Sequence, residues 1–161
     1  MNSNKMFKII SPKDIEYNLI HTKQIVFEIT DKCNLSCKYC GYADLYEGYD
    51  VRKGKELPFE KAKLLVDYLY SLWEQNRVNG VIEPVTIGFY GGEPLLNVNF
   101  MHQIISYIEK QDFVGKVFSY NMTTNAMMLN KYMDFIVENE MQLLISLDGN
   151  ETGQSYSPYA H

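Results

Sequence analysis

Several things are scarce in this chain of 161 residues, and each absence narrows what it can be. No run of Lys and Arg exceeds two residues and the net charge is −5, so nothing draws the chain electrostatically to nucleic acid or to an anionic membrane. No segment approaches the length of an apolar membrane span, and Met1 to Ile10 mixes Asn, Ser and Lys without the continuous apolar stretch of a secretory signal. The expectation is a cytoplasmic protein. Internal repeats, low-complexity tracts and linkers are also missing. Cysteine is confined to three residues, all between Cys33 and Cys40, whereas a disulfide framework spreads an even number along a small secreted chain. These thiols are gathered as if for a metal.

What remains is ordinary for one compact domain, with 46% hydrophobic and 22% charged residues. The apolar, β-branched run Ile25-Val26-Phe27-Glu28-Ile29-Thr30 predicts a strand, and the cysteines follow it on a loop. Pro58 suits the first turn of a helix, and Leu64, Leu65, Tyr68, Leu69 and Leu72 then supply one apolar face as far as about Asn76. Val85 to Tyr90 predicts a second strand closed by Gly91-Gly92, and from Asn97 the residues Val98, Met101, Ile105 and Ile108 line a second helix. Lys116 to Thr124 is a third strand, Leu129, Met133, Ile136 and Val137 mark a third helix, and Gln142 to Leu147 a fourth strand. Strands alternating with helices imply a parallel α/β sheet with right-handed crossovers. Residues 1–24 read as an N-terminal extension, 25–150 as the core, and 151–161 as a polar, disordered tail.

In parallel α/β folds ligands bind in the loops at the C-terminal ends of the strands, and every unusual motif of this sequence falls there. Cys33, Cys37 and Cys40 form C-x3-C-x2-C, three thiolates from one short loop that can wrap a cuboidal iron–sulfur cluster. Three ligands leave one of four irons open to a substrate or cofactor. Structural zinc is the plainer alternative; it wants four ligands, a fourth cysteine is lacking, and His21 and His102 lie outside usual zinc spacings.

Three later loops are less specific taken singly. Gly91-Gly92-Glu93-Pro94 lets backbone approach a ligand and gives Glu93 as an acceptor for an ammonium group, or is a plain strand-to-helix turn. Asn121, Thr123 and Asn125 alternate, so an extended strand puts all three on one polar face. Ser146-Leu147-Asp148-Gly149 closes the fourth strand, where Asp-Gly is also a common turn dipeptide. The 13 tyrosines and 8 methionines read as filling rather than as a platform, and Glu28 is a weaker candidate beside the cysteine loop.

The cysteine pattern, with the aromatic Tyr39 before the third cysteine, resembles the signature of the radical S-adenosylmethionine (SAM) superfamily. Gly91-Gly92-Glu93 is similar to that family's GGE motif, and Thr123-Thr124-Asn125 to its TNG segment, with Ala126 in place of the glycine. Ser146 to Gly149 resembles the SLDG segment of peptide-modifying members, among them anaerobic sulfatase-maturating enzymes and ribosomal-peptide maturases. The resemblance implies a partial TIM-like (β/α) barrel of parallel strands, here incomplete at about four β/α units, and a [4Fe-4S] cluster on Cys33, Cys37 and Cys40. It implies SAM bound by Tyr39, Gly91, Gly92, Glu93, Asn121, Thr123, Asn125 and Ser146, with Asp148 toward substrate. The implied reaction is reductive cleavage of SAM to a 5′-deoxyadenosyl radical that takes hydrogen from a peptide or protein, fed by a low-potential donor of the flavodoxin or ferredoxin type. Fewer strands than the family's barrel and no auxiliary cysteines beyond Cys40 leave two alternatives, a cluster-binding remnant without turnover and a zinc-stabilised interaction domain. An unpaired edge at the fourth strand and helices without barrel partners predict poor solubility for the chain alone.

Overall fold

The computed structural model describes residues 10–42, 52–111, 113, 115–147 and 149. The elements run α1 (Pro12–Ile20), β1 (Gln24–Thr30), α2 (Phe59–Gln75), β2 (Glu83–Gly91), a 3-10 turn (Pro94–Asn97), α3 (Val98–Lys110), β3 (Lys116–Thr124), a 3-10 turn (Leu129–Lys131), α4 (Met133–Glu138) and β4 (Gln142–Ile145). The strands form one parallel sheet in the order β1-β2-β3-β4, so each β-α-β unit advances by one position, as in a barrel wall. The predicted class holds: an α/β partial barrel of four strands. The expected disordered tail, 151–161, lies outside the described residues, as does Asp148.

The period of two along each strand splits the sheet into unlike faces. Ile25, Phe27 and Ile29 of β1, Val85, Ile87 and Phe89 of β2, and Tyr120 and Met122 of β3 are buried against the helices. Fully burying side chains such as Phe89, Ile87 and Ile104 contributes about 1.5–3 kcal/mol each, which makes this layer the main source of stability. The intervening residues, Gln24, Val26, Glu28, Pro84, Tyr90 and Val117, are exposed on the other face.

Helix faces were less legible. On α2 the buried residues are Ala62, Val66, Leu69, Leu72 and Trp73, whereas Leu64, Leu65 and Tyr68, expected in the core, are exposed. Two overlapping apolar stripes run along this helix, and the one carrying the indole packs inward: Trp73 stacks edge-on against Phe113 and donates from Nε1 to the Leu19 carbonyl at 3.3 Å. On α3 Val98, Met101, Ile105 and Ile108 are all buried as expected, joined by Phe100 and Ile104. The third predicted helix is broken into the 3-10 turn and a short α4, in which Phe135 and Ile136 are buried while Met133 and Val137 are exposed. Helix α1, unforeseen in the N-terminal extension, starts at a capping box in which Ser11 and Asp14 bond reciprocally, and no residue of it is fully buried.

The N-terminal ends of the strands are tied by charge. Lys116 Nζ pairs with the Glu83 carboxylate, lies 5.0 Å from the Trp73 ring centroid and reaches the Ile20 carbonyl at 3.3 Å, while His21 Nδ1 is 3.2 Å from Glu83. The Lys116 bond, and then that of His21, holds the Glu83 carboxyl below its ordinary range. A depressed carboxyl contributes stability that is complete above its unfolded value of about 4.3 and is lost as pH falls through the folded value. Glu83→Gln therefore lowers the melting temperature at pH 7, and the gap to wild type narrows below about pH 4; a gap that stays constant across that window in thermal melts would place the effect elsewhere.

Candidate active site at the C-terminal ends of the strands

At the opposite end of the sheet the chain leaves β1 and enters the cysteine loop, whose two ends are pinned together. Asp31 N donates to the Lys55 carbonyl at 3.1 Å, and its carboxylate accepts from Lys53 N and Lys55 N at 2.9 and 2.7 Å. Thr30 Oγ1 donates to the Lys55 carbonyl at 3.1 Å, and Leu57 N to the Ile29 carbonyl at 3.0 Å. The returning segment thus lies beside the last residues of β1 and brings Arg52 back to the cysteines.

The paired glycines explain how this loop sits. Gly92 N donates to the Thr30 carbonyl at 2.8 Å and Glu93 N to the Lys32 carbonyl at 2.7 Å. A Cβ on Gly91 would stand 2.1 Å from the Thr30 oxygen, and one on Gly92 2.1 Å from the Lys32 oxygen. Gly91 also adopts φ +136, which side chains rarely tolerate. The close approach that calls for glycine is therefore, in this structure, that of the backbone leading into Cys33.

Glu93 is fully buried and is engaged by three protein donors. Oε1 accepts from Leu95 N at 3.1 Å and from Thr124 Oγ1 at 2.8 Å, and Oε2 accepts from Asn125 N at 2.8 Å. One carboxylate thereby caps the 3-10 turn opened by Pro94 and joins the end of β2 to the end of β3. Asn97, also buried, adds a bond from Nδ2 to the Ile29 carbonyl at 3.0 Å while capping α3.

Of the polar residues expected to alternate along β3, Asn121, in register with Gly88, and Thr123 share the open face. Asn121 Oδ1 fills the space where a Gly88 side chain would be, 2.8 Å from its ideal Cβ. Asn125 lies beyond the strand in a turn, and its side chain reaches the cysteine loop: Nδ2 donates to Asn34 Oδ1 at 2.8 Å and to Cys33 Sγ at 3.8 Å. Ala126 follows with φ 66, the left-handed conformation that glycine takes without cost. Ser146 is exposed beyond β4 and donates its N–H to the Thr124 carbonyl at 2.9 Å.

The three thiols are half-buried. Cys33 Sγ accepts from Leu35 N at 3.4 Å, and Cys40 Sγ lies 3.0 Å from Arg52 Nη2. Burial pushes the Cys33 thiol up, partly offset by the Leu35 N–H and by the charge of Arg52. Arg52, which sequence reasoning missed, also donates from Nη1 to the Leu35 carbonyl at 2.8 Å, and its guanidinium faces the Tyr42 ring at 5.7 Å. Tyr42 in turn donates to Glu28, so the candidate on β1 is linked to the cysteine loop through an aromatic ring. Tyr39 is exposed over about half its surface. Among the described residues no three His, Cys, Asp or Glu side chains converge as ligands of one metal ion would. A cuboidal cluster asks for no such point, since each thiolate binds its own iron, and N–H groups aimed at the sulfurs from Leu35, Asn125 and Arg52 are the environment that such clusters favour. The donor set therefore fits an iron–sulfur cluster.

The radical SAM superfamily profile matches residues 27–152. The chain belongs to the radical SAM superfamily. It is 33% identical over 138 residues to an uncharacterized protein of Methanocaldococcus jannaschii, covering 85% of this chain and 42% of that one. It is 27% identical over 124 residues to a cysteine-type anaerobic sulfatase-maturating enzyme of Clostridium novyi, covering 76% and 31%. To the radical SAM cyclopropyl synthase TigE of Paramaledivibacter caminithermalis it is 22% identical, covering 84% and 29%. The fold matches the structure titled native anSMEcpe with bound AdoMet, with a TM-score of 0.66 at 22% identity over 86% of this chain and 36% of that one. The chain spans less than half the length of these relatives. Among the described residues no helix is long and apolar enough to cross a membrane.

The loop geometry yields two expectations. Ala126→Gly relieves the left-handed backbone and stabilises by ~1 kcal/mol, raising the melting temperature by about 2–4 °C; no gain in a calorimetric melt would mean that the turn is not formed as described. Gly92→Ala forces a methyl onto the Lys32 carbonyl and costs about 3 kcal/mol or more, read as lost soluble protein or a lowered melting temperature.

Proposed function

We propose that this chain is the SAM-binding catalytic module of a radical SAM enzyme, with a [4Fe-4S] cluster on Cys33, Cys37 and Cys40. The observation that carries the reading is the placement of three half-buried thiols at the C-terminal end of a parallel sheet, with N–H groups directed at Cys33 and Cys40. When bound, the cluster and SAM supply one-electron reductive cleavage of a carbon–sulfur bond, chemistry that no side chain offers. The chain's own contribution is to hold the loop, orient the cofactor and keep water from the reaction.

Cofactor binding falls to the loops over the ends of β1 to β4. In this reading Tyr39, next to Cys40 in the sequence, Gly91, Gly92, Glu93, Asn121, Thr123, Asn125 and Ser146 contact the cofactor. Glu93 Oε2 accepts one protein hydrogen bond where Oε1 accepts two, which leaves it acceptor capacity toward an ammonium group. The substrate in this reading is a peptide or protein, with Asp148 on its side of the site and a flavodoxin- or ferredoxin-type donor feeding the cluster. Similarity to a sulfatase-maturating enzyme supports the substrate class, and the resemblance of Ser146 to Gly149 to the SLDG segment adds to it.

The test is anaerobic reconstitution with iron and sulfide, followed by low-temperature electron paramagnetic resonance of the reduced protein with and without SAM. A cluster signal that changes on adding SAM is expected, with 5′-deoxyadenosine detected by mass spectrometry; zinc in place of iron would overturn the reading. Cys37→Ala abolishes the signal. Glu93→Gln protein whose iron and sulfide content shows an intact cluster binds SAM about tenfold more weakly, the weight of roughly one charge-assisted hydrogen bond. Unchanged SAM affinity in that variant would remove Glu93 from the cofactor site and leave it the structural tie alone.

A further inference from the structure

The Arg52 guanidinium is a charge in an unusual position. Its Nη2 lies 3.0 Å from Cys40 Sγ and its Nη1 2.8 Å from the Leu35 carbonyl, so it bridges the start and the end of the cysteine motif. Its Nε is buried and has no hydrogen-bond partner. None of the ion pairs among the described residues includes it: Lys32 pairs with Glu56, Lys63 with Asp67, and Glu83 with Lys116 and His21. The nearby carboxylate of Asp31 is engaged by Lys53 N and Lys55 N, and that of Glu93 by three donors of its own. Partly buried cations are normally matched by an anion, because an uncompensated one is costly. The group that Arg52 faces is a cysteine sulfur, which is neutral as a free thiol and anionic when it ligates a metal.

We infer that Arg52 tunes the cluster: its guanidinium hydrogen-bonds the Cys40 thiolate, stabilises the more negative, one-electron-reduced state, and so raises the midpoint potential at which the cluster accepts its electron. The inference rests on the proposal that the three cysteines hold an iron–sulfur cluster. The physical basis is general. Net charge and hydrogen bonds to the ligand sulfurs set where such clusters are reduced, and a positive charge within contact distance favours the form carrying the extra electron. Arg suits the position better than Lys, because its planar fork serves the sulfur and the Leu35 carbonyl at once. Arg52 is thus a positioning and tuning residue rather than a catalytic one.

The test compares wild type with Arg52→Met, which keeps much of the side-chain volume without the charge, and Arg52→Lys, which keeps the charge without the fork. Each is reconstituted anaerobically, assayed for iron and acid-labile sulfide, and titrated with a low-potential chemical reductant while the reduced-cluster signal is followed by electron paramagnetic resonance. At a fixed solution potential the ratio of reduced to oxidised cluster is expected to fall about tenfold in Arg52→Met, equivalent to a midpoint about 59 mV more negative, and by less in Arg52→Lys. A fully loaded Arg52→Met cluster with an unchanged midpoint overturns the inference. Should Arg52→Met fail to hold a cluster, pulsed electron paramagnetic resonance of wild type labelled with 15N-arginine decides: coupling of a labelled nitrogen to the reduced cluster supports the contact, and its absence refutes it. Wild type that takes up no iron and sulfide sinks the cluster proposal itself, a failure visible in the metal analysis before any potential is measured.

Discussion

The loops at this end of the molecule depend on one buried carboxylate. Glu93 takes two donors on Oε1 and one on Oε2, and these come from three places: the turn it caps, the last residue of β3, and the first residue beyond β3. A carboxylate removed from water with fewer partners would cost several kcal/mol, so the three donors are a condition of its burial. Once they are met, the consequences run outward. Fixing Asn125 N directs the Asn125 side chain to Asn34 and Cys33. Fixing the backbone of residues 91–93 places two N–H groups under the Thr30 and Lys32 carbonyls. Thiol placement is therefore decided largely outside the cysteine motif.

This division explains what could be read from the sequence. Strand positions and the parallel order were legible because buried strands leave compact β-branched runs, as at Ile25 to Ile29 and Val85 to Phe89, and such runs have few competing interpretations. The cysteine motif was legible because its three thiols fall within eight positions of one another. The inward face of α2 was not, since Leu64, Leu65 and Tyr68 make as good a stripe as Val66, Leu69 and Trp73 until the ring partners Phe113 and Phe118 are in place. Helix α1 had no strong apolar periodicity to announce it. Arg52 was invisible for a different reason: it lies 12 positions from Cys40, and the bonds of Ile29, Thr30 and Asp31 to residues 53–57 bring it back in space. Long-range contacts made by loop closure leave no periodic trace.

Glycine shows the same effect in a single motif. From the sequence, Gly91 and Gly92 read as room for a ligand, and the resemblance to the GGE motif strengthens that view. In the structure the room is taken by the Thr30 and Lys32 carbonyls at distances no Cβ could share. The two meanings are compatible. A cofactor bound against this turn would meet a backbone already held to the cluster loop, so the glycines would serve the site through its framework.

The open face of the sheet supplies the last step. Parallel sheets are ordinarily covered on both sides, and in this chain the described helices cover one. Were the other face meant for an ordinary core, its rows would be apolar. Instead Gln24, Thr86 and Ser119 lie in register at one level, with a 3.0 Å hydroxyl contact between Thr86 and Ser119; Val26, Gly88, Asn121 and Gln142 follow; Glu28, Tyr90 and Thr123 come next toward the cysteine loop. Val26, the paired Pro84 and Val117, and Leu144 beside Thr123 interrupt the polar rows, and at the cysteine end stand a carboxylate and a phenol, Glu28 and Tyr42, joined by a hydrogen bond. Such a surface would be expensive to dehydrate against apolar side chains, because each amide and hydroxyl would need a partner. It suits contact with water or a polar ligand better than burial in an apolar core. Tyr42, bonded to Glu28 on that face and facing Arg52 at the sulfur of Cys40, then gives the open face and the thiol loop a shared contact.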